Sequence, residues 1–354
     1  MKILHFALED YSRIPGLLVR EERKAGHQSY LAVLTDTIKD YGQHDYHLKL
    51  PAVGSPAIVR LREGLYRPSR KIDNRRRSGP ARRWHPRSPA EKMFFSARDA
   101  LWRPRVRRFL EEIDWRGFDL LVLDGGSGFL RDASFVRAFK EAGKKIICIY
   151  YGSDLRTRGI IPAADELADA RFTFEFDHTL LDPGLTFLYY PYDPPKNIHP
   201  PRRAAGPIPR VGHAPTNRAA KGSERILKAL HTVGQRTPLE IVLIENKPFR
   251  EAMALKASCD IFIDQIGELG YGVNSLEALA MGIPAAVELM DDFDAFLQPH
   301  PFLRLRENSL ENDLERIITD PEARETASRE GPAWVARRHD PATVSAKILA
   351  GVTG

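Results

Sequence analysis

Short apolar runs that alternate with helix-patterned segments constrain this chain more than any other feature, because few layered folds accommodate that alternation. Near the N-terminus "KILHFAL" reads as a buried strand, "EDYSRIPG" as a polar turn, "LLVREERKAGHQ" as a helix closed by Gly26, and "SYLAVL" as a second buried strand. The order returns in "FDLLVLD", "GGSG", "FLRDASFVRAFKEAG" and "KKIICIYYG". Strands that are apolar throughout and separated by helices predict a parallel sheet covered on both faces.

Pro194 to Pro209 holds six prolines in sixteen residues, which rules out a regular helix or a central strand and marks a linker. Beyond it the alternation resumes with "RVGHAP", "SERILKALHTVG", "LEIVLIEN", "FREAMALKASC", "DIFIDQI", "NSLEALAMG" and "IPAAVEL". The expected division is an N-terminal Rossmann-like domain over 1–193, the linker over 194–209 and a C-terminal Rossmann-like domain over 210–335. A terminal helix over 336–354 is placed to pack back on the N-terminal domain. Helical patterning near the C-terminus is expected to break at Gly331-Pro332 and again at Asp340-Pro341. At 354 residues and 43% apolar content the chain can bury two cores.

Composition narrows the class. The only two cysteines, Cys148 and Cys259, lie in apolar strand-like runs, which argues against a disulfide framework or a cysteine metal site and for a cytoplasmic setting. No signal peptide is read before the first strand, and no apolar run approaches the roughly 20 residues needed to span a bilayer. Between Arg60 and Arg108 fifteen Arg and two Lys stand against four acids, +13 in a chain whose total is only +6. The basicity is local.

Two runs carry chemistry. In "VGHAPTNRAAKGSERILKAL" a strand ends, a polar loop presents His213, Thr216, Asn217, Arg218 and Lys221, and Gly222-Ser223 opens a helix. Such a helix start attracts anions, and Arg218 and Lys221 add the charge a diphosphate leaving group needs. A solvated strand-to-helix loop would have the same spacing. In "LGYGVNSLEALAMGIP", Gly270 and Gly272 allow close backbone approach to a ligand, with Tyr271, Val273 and Asn274 completing the turn into the next helix. Glu277 stands at the edge of that helix's apolar stripe, where an acceptor-only carboxylate suits paired ribose hydroxyls. A surface Glu bordering a core helix would look alike.

Together these runs resemble the family 4 retaining glycosyltransferases. The resemblance is carried by "HAPTNRAAKG" and "GYGVNSLEALAMGIP" in the C-terminal half, and more loosely by "KILHFALEDYSRIPG" and "IICIYYGSDLR" in the N-terminal half. It implies an α/β fold of GT-B architecture, two Rossmann-like doubly wound domains facing each other across a cleft. It also implies sugar transfer from a nucleotide diphosphate-sugar, bound mainly by the C-terminal domain, to an acceptor held by the N-terminal domain. Neither metal nor cofactor is needed, because basic side chains and helix dipoles take the metal's role.

By the same resemblance Lys221 is the phosphate-binding lysine, Arg218 its companion, and Glu277 the second acid of the E-x7-E element. The first acid falls at Leu269, so Glu268, Asp264 or the backbone amides of Gly270 to Val273 are left to contact the donor sugar. In "YYGSDLR", Tyr151 stands where relatives often have His beside the reacting sugar, and Asp154 follows it. A role for Asp154 as a helix-type cap is equally compatible with that sequence. "EDYSRIPG" matches the acceptor-side loop, with Asp10, Ser12 and Gly16 as candidates.

The stretch Tyr66 to Pro89 has nine basic residues and one acid, with prolines and no periodicity, and reads as an irregular loop. With Trp84 and the aromatic groups of "KMFFSARDALW", residues 60–108 form either a solvated insertion or a surface that docks on an anionic membrane, on its inner face. Nucleic acid is disfavoured as a partner, since no RNA or DNA fold motif is present. A lipid-linked or polymeric glycan is the expected acceptor. The alternatives are an epimerase or phosphorylase on the same plan, or a non-catalytic glycan or nucleic-acid binder descended from a transferase.

Overall fold

The computed structural model describes residues 1–35, 44–50, 80–152, 154–194, 208–267 and 270–353. The chain forms two compact units, Met1–Pro191 with Pro341–Gly354, and Tyr192–Asp340. The first contains strands β1 (Lys2–Ala7), β2 (Gln28–Val33), β3 (Tyr46–His47), β4 (Leu120–Asp124), β5 (Lys145–Tyr150), β6 (Ala170–Thr173) and β7 (Thr186–Phe187). They pair in parallel in the order β3-β2-β1-β4-β5-β6-β7.

Period-two alternation sorts the core onto two faces. Leu121 and Leu123 of β4 pack with Leu4, Phe6, Phe129 and Phe139. Leu120 and Val122 pack with Ile3, Ile14 and Leu18. The last helix, Pro341–Thr353, adds Val344, Ile348 and Leu349 to this second face. Burying each such side chain is worth roughly 1.5–3 kcal/mol, so the C-terminal helix is part of the first unit's core.

The second unit has strands β8 (Arg210–His213), β9 (Glu240–Leu243), β10 (Ile261–Gln265), β11 (Ala285–Glu288) and β12 (Leu303–Leu305), parallel in the order β12-β11-β10-β8-β9. Strand order reverses between β1 and β4 in one unit and between β8 and β10 in the other. Ligands of open α/β sheets bind outside the strand ends at such switch points, which in the second unit are flanked by the loops after β8 and β10.

Two local expectations change. The helix Pro321–Arg338 runs through Gly331 and Pro332 without a break, and only the Asp340-Pro341 interruption occurs. A proline inside a helix costs about 3 kcal/mol of backbone bonding; here packing offsets it. A Cβ on Gly331 would lie 2.9 Å from the Leu279 carbonyl, so the glycine lets this helix approach the helix Val273–Ala280. Gly331→Ala is expected to cost about 1–3 kcal/mol through overpacking, read as a drop of several degrees in the melting temperature. An unchanged melting temperature would contradict the close approach.

The basic stretch also reads differently. Residues 60–79 lie outside the described residues. Pro80 to Ser88 is pinned to the first unit, with Ala81 N–H donating to Leu181 O at 2.7 Å and Ile160 N–H to Arg82 O at 2.8 Å. From Pro89 to Glu112 the chain is one helix, N-capped by Ser88. Trp84 packs on Phe95 with Arg131 over its ring, and Trp102 is buried, so these two indoles face protein. No helix among the described residues is long and apolar enough to cross a membrane.

Candidate functional site

β8 ends in His213, which is fully buried. Its Nδ1 lies 2.9 Å from the Ile263 carbonyl, which can only accept, so Nδ1 carries the proton and Nε2 accepts from Ser223 Oγ at 2.8 Å. Burial lowers its pKa and keeps the ring neutral. Both nitrogens being engaged, His213 has no atom left for a donor molecule: it braces β8 and β10 against the start of the helix Ser223–Gly234. Gly222 before it has φ +66, and a Cβ there would meet the Ile266 carbonyl at 2.8 Å. Glycine is required at this turn.

Lys221, in the same loop, reaches across to β10. Its Nζ lies 3.1 Å from Asp264 Oδ1 and also bonds Gln265 Oε1. The other Asp264 oxygen accepts from Gly272 N–H at 2.8 Å and Ser275 Oγ at 2.7 Å. Burial alone would raise the Asp264 pKa; Lys221 and these donors hold it below the ordinary value. Asp264 therefore positions Lys221 at the N-terminus of the helix Val273–Ala280. A Cβ on Gly272 would sit 3.2 Å from Lys221 Nζ and 3.4 Å from Asp264 Oδ2, a tight approach to the pair. The N–H groups of Val273 and Asn274 have no partner among the described residues. An ammonium beside two such N–H donors at the positive end of a helix is an arrangement that can receive an anion.

One turn along, Glu277 keeps 14% side-chain exposure. Its Oε2 bonds the ammonium of Lys256, which also donates to Asn274 Oδ1 at 2.8 Å and lies 4.5 Å from the centre of the Phe262 ring. Asn274 Nδ2 donates in turn to the Ala214 carbonyl at 3.0 Å, tying the helix to the loop after β8. The sequence reading missed Lys256, Gln265 and Ser275. Lys256 left one signal, a lone lysine in the otherwise apolar "AMALKASC".

The remaining candidates of this unit have other partners. Arg218 pairs with Glu224 and Glu245. Asn217 Oδ1 accepts from Ala220 N–H within its own loop, and Thr216 is exposed. Tyr271 stacks on Phe302 and Phe293 and meets Trp334 at its edge. Its ring is core. Gly270 O accepts from Gln265 Nε2. Glu268 and Leu269 lie outside the described residues.

In the first unit Tyr151 OH donates to Asp124 Oδ1 at 2.6 Å, and burial followed by that carboxylate pushes the phenol pKa well up. Asp154 accepts Tyr151 N–H, three residues before it, at 3.0 Å, so it closes the turn backwards rather than capping the residues that follow, and its pKa is raised by burial. Behind them His5 sits between Asp124 Oδ2, 3.0 Å from Nδ1, and Glu22, 3.1 Å from Nε2, while Ser29 Oγ donates to Glu22. Sequence patterning treated His5 as one more residue of a buried strand. Asp10 accepts Gly16 N–H at 2.9 Å, and a Cβ on Gly16 would lie 2.8 Å from the Asp10 carboxylate. Ser12 is half-buried, and it and Arg13 hold left-handed backbone conformations (φ 51 and 64). Non-glycine residues in that region mark strained, often functional loops.

Two doubly wound parallel units, each with a switch point, define a mixed α/β protein of GT-B type. No protein-family model matches the chain, and no curated protein matches it in sequence. Among solved structures it is similar to a sucrose-phosphate synthase from Thermosynechococcus elongatus, with a TM-score of 0.65 at 11% identity over 99% of this chain and 98% of that one. A spinosyn rhamnosyltransferase gives 0.52 at 12% identity over 99% and 100%. A putative UDP-N-acetylglucosamine 2-epimerase from Listeria monocytogenes gives 0.50 at 12% identity over 99% and 95%. At these identities the likeness is one of fold.

Proposed function

We propose that this protein is a retaining, metal-independent glycosyltransferase that moves a hexose-type sugar from a nucleoside diphosphate sugar to a lipid-linked or polymeric glycan. The observation that carries the reading is the anion site of Lys221 and the Val273 and Asn274 N–H groups, one helical turn from Glu277, at the switch point between β8 and β10. In this reading the diphosphate lies at the helix start and the ribose hydroxyls donate to Glu277. As the bond from the anomeric carbon to phosphate oxygen breaks, negative charge grows on the diphosphate, where Lys221 and the helix amides stabilise it. The acceptor oxygen attacks from the face of departure, and its proton passes to the leaving phosphate. Acceptor recognition is assigned to the loop after β1 in the first unit, with Asp10 holding that loop and Ser12 presented from it. Tyr151 and Asp154 frame the end of β5.

Attachment to an anionic membrane is part of the proposal. The helix Pro89–Glu112 exposes Met93 and Leu101 together with Lys92, Arg105, Arg107 and Arg108, and each basic residue near the headgroups contributes about 1 kcal/mol. Epimerisation of a nucleotide sugar is the second reading, favoured by the likeness to the putative epimerase. It requires conversion of donor with no acceptor present.

The class is tested by thermal denaturation with UDP, GDP, ADP and dTDP. A ligand at a hundred times its dissociation constant stabilises by about 2.7 kcal/mol, so one of the four is expected to raise the melting temperature by several degrees. If all four leave it unchanged, the transferase reading fails.

A further inference from the structure

Lys256 is a fully buried lysine on the helix Phe249–Ala257, a place where an ammonium is costly unless it is paired. Its hydrogen-bond acceptors all belong to the neighbouring helix: Glu277 Oε2, Asn274 Oδ1 and, at 3.5 Å, the Asn274 carbonyl; the Phe262 ring of β10 lies under the ammonium. The side chain thus crosses the core to reach the one acid of that helix. Only one Glu277 oxygen is used in this way. Oε1 has no partner among the described residues, and the side chain is part-exposed.

We infer that Lys256 is a positioning residue for nucleotide recognition: it locks one carboxylate oxygen of Glu277 so that the other is presented as a fixed acceptor for a ribose diol. Two physical consequences follow from the pairing. A glutamate side chain has three rotatable bonds, and fixing it beforehand removes the ordering cost from the binding step. A neutral Lys256–Glu277 pair also spares the neighbouring diphosphate the repulsion of an uncompensated carboxylate. Through Asn274, which bonds both Lys256 and the Ala214 carbonyl, the same ammonium sets the helix against the loop that carries Lys221.

This inference rests on the reading of Glu277 as the ribose acid, and the experiment separates the two. Dissociation constants are measured by calorimetry for matched ribo- and 2′-deoxyribonucleoside diphosphates of uracil, guanine and adenine. The proteins are the wild type, Glu277→Gln, Lys256→Met, Lys256→Arg and the Lys256→Met/Glu277→Gln double variant.

Wild type is expected to favour the ribonucleotide by about tenfold or more, the worth of a hydrogen bond to a charged acceptor. Glu277→Gln should reduce that preference to within about threefold. Lys256→Met should reduce it equally, adding nothing in the double variant, while Lys256→Arg restores it. A role confined to core stability would lower the melting temperature of Lys256→Met and leave the ribose preference intact, and that result overturns the inference. Should Lys256→Met not fold, a Lys256→Arg protein that folds yet lacks the preference overturns it as well. Loss of nucleotide binding in the wild type, or a Glu277→Gln protein that still discriminates, would instead overturn the reading of Glu277.

Discussion

Replacing His5 with Leu is expected to cost the first unit about 3–5 kcal/mol, the usual penalty for removing one member of a buried ionic group. Glu22 and Asp124, whose side chains are 0% and 1% exposed, would lose the cation between them. Burial on its own lowers a histidine pKa. Here Glu22 and Asp124 outweigh it and raise the imidazole to about 10. The sign follows from linkage: the folded value lies above the unfolded value of about 6.5, so the contribution is complete below about pH 6.5 and is lost as pH rises toward 10.

Wild-type stability should therefore fall between neutral pH and pH 10 by an amount that His5→Leu does not show. Urea denaturation followed by tryptophan fluorescence reports it, since Trp84, Trp102 and Trp115 lie in this unit and only Trp334 in the other. A loss under 1 kcal/mol with equal pH slopes would mean that the imidazole is neutral. Asp124 also holds the Tyr151 hydroxyl, so the same substitution should disturb the end of β5.

Lys221→Ala is the second large effect, and it has two parts. Loss of the ammonium from the anion site is expected to lower turnover by about 10²–10³, the range for removing one preorganised donor to a developing charge. Nucleoside diphosphates should weaken more than nucleosides. Asp264, in turn, loses the cation that keeps its pKa low, and burial then raises it. A depressed carboxyl stabilises above its unfolded pKa of about 3.9 and loses that contribution as pH falls through the folded value. In the variant the loss should begin at higher pH, so Lys221→Ala is expected to be acid-sensitive and Lys221→Arg much less so. Unchanged turnover together with an unchanged acid limb would place both the catalysis and the pairing elsewhere.

The alternation of strand and helix was readable because period and apolar content are local properties. Strand order was not, since "LEIVLIEN" and "DIFIDQI" look equivalent as sequence, yet β8 stands between the strands they form and the switch point follows from that. Glu277, Lys221 and the glycines before the helix were legible through spacing. Their supports were not. From the sequence Asp264 reads as a candidate sugar contact, whereas its two oxygens are taken by Lys221, Gly272 and Ser275. His213 and Tyr271 are polar enough to pass for ligand contacts, and only tertiary partners show that one braces two strands and the other fills an aromatic core. Gly331-Pro332 carries a strong break signal that packing against Leu279 overrides.

The most direct measurement is a crystal structure with a bound nucleoside diphosphate. Expected is a diphosphate within hydrogen-bonding distance of Lys221 Nζ and the Val273 and Asn274 N–H groups, with a ribose hydroxyl on Glu277. A nucleotide bound away from the ends of β8 and β10, or one whose ribose leaves Glu277 untouched, would contradict the site.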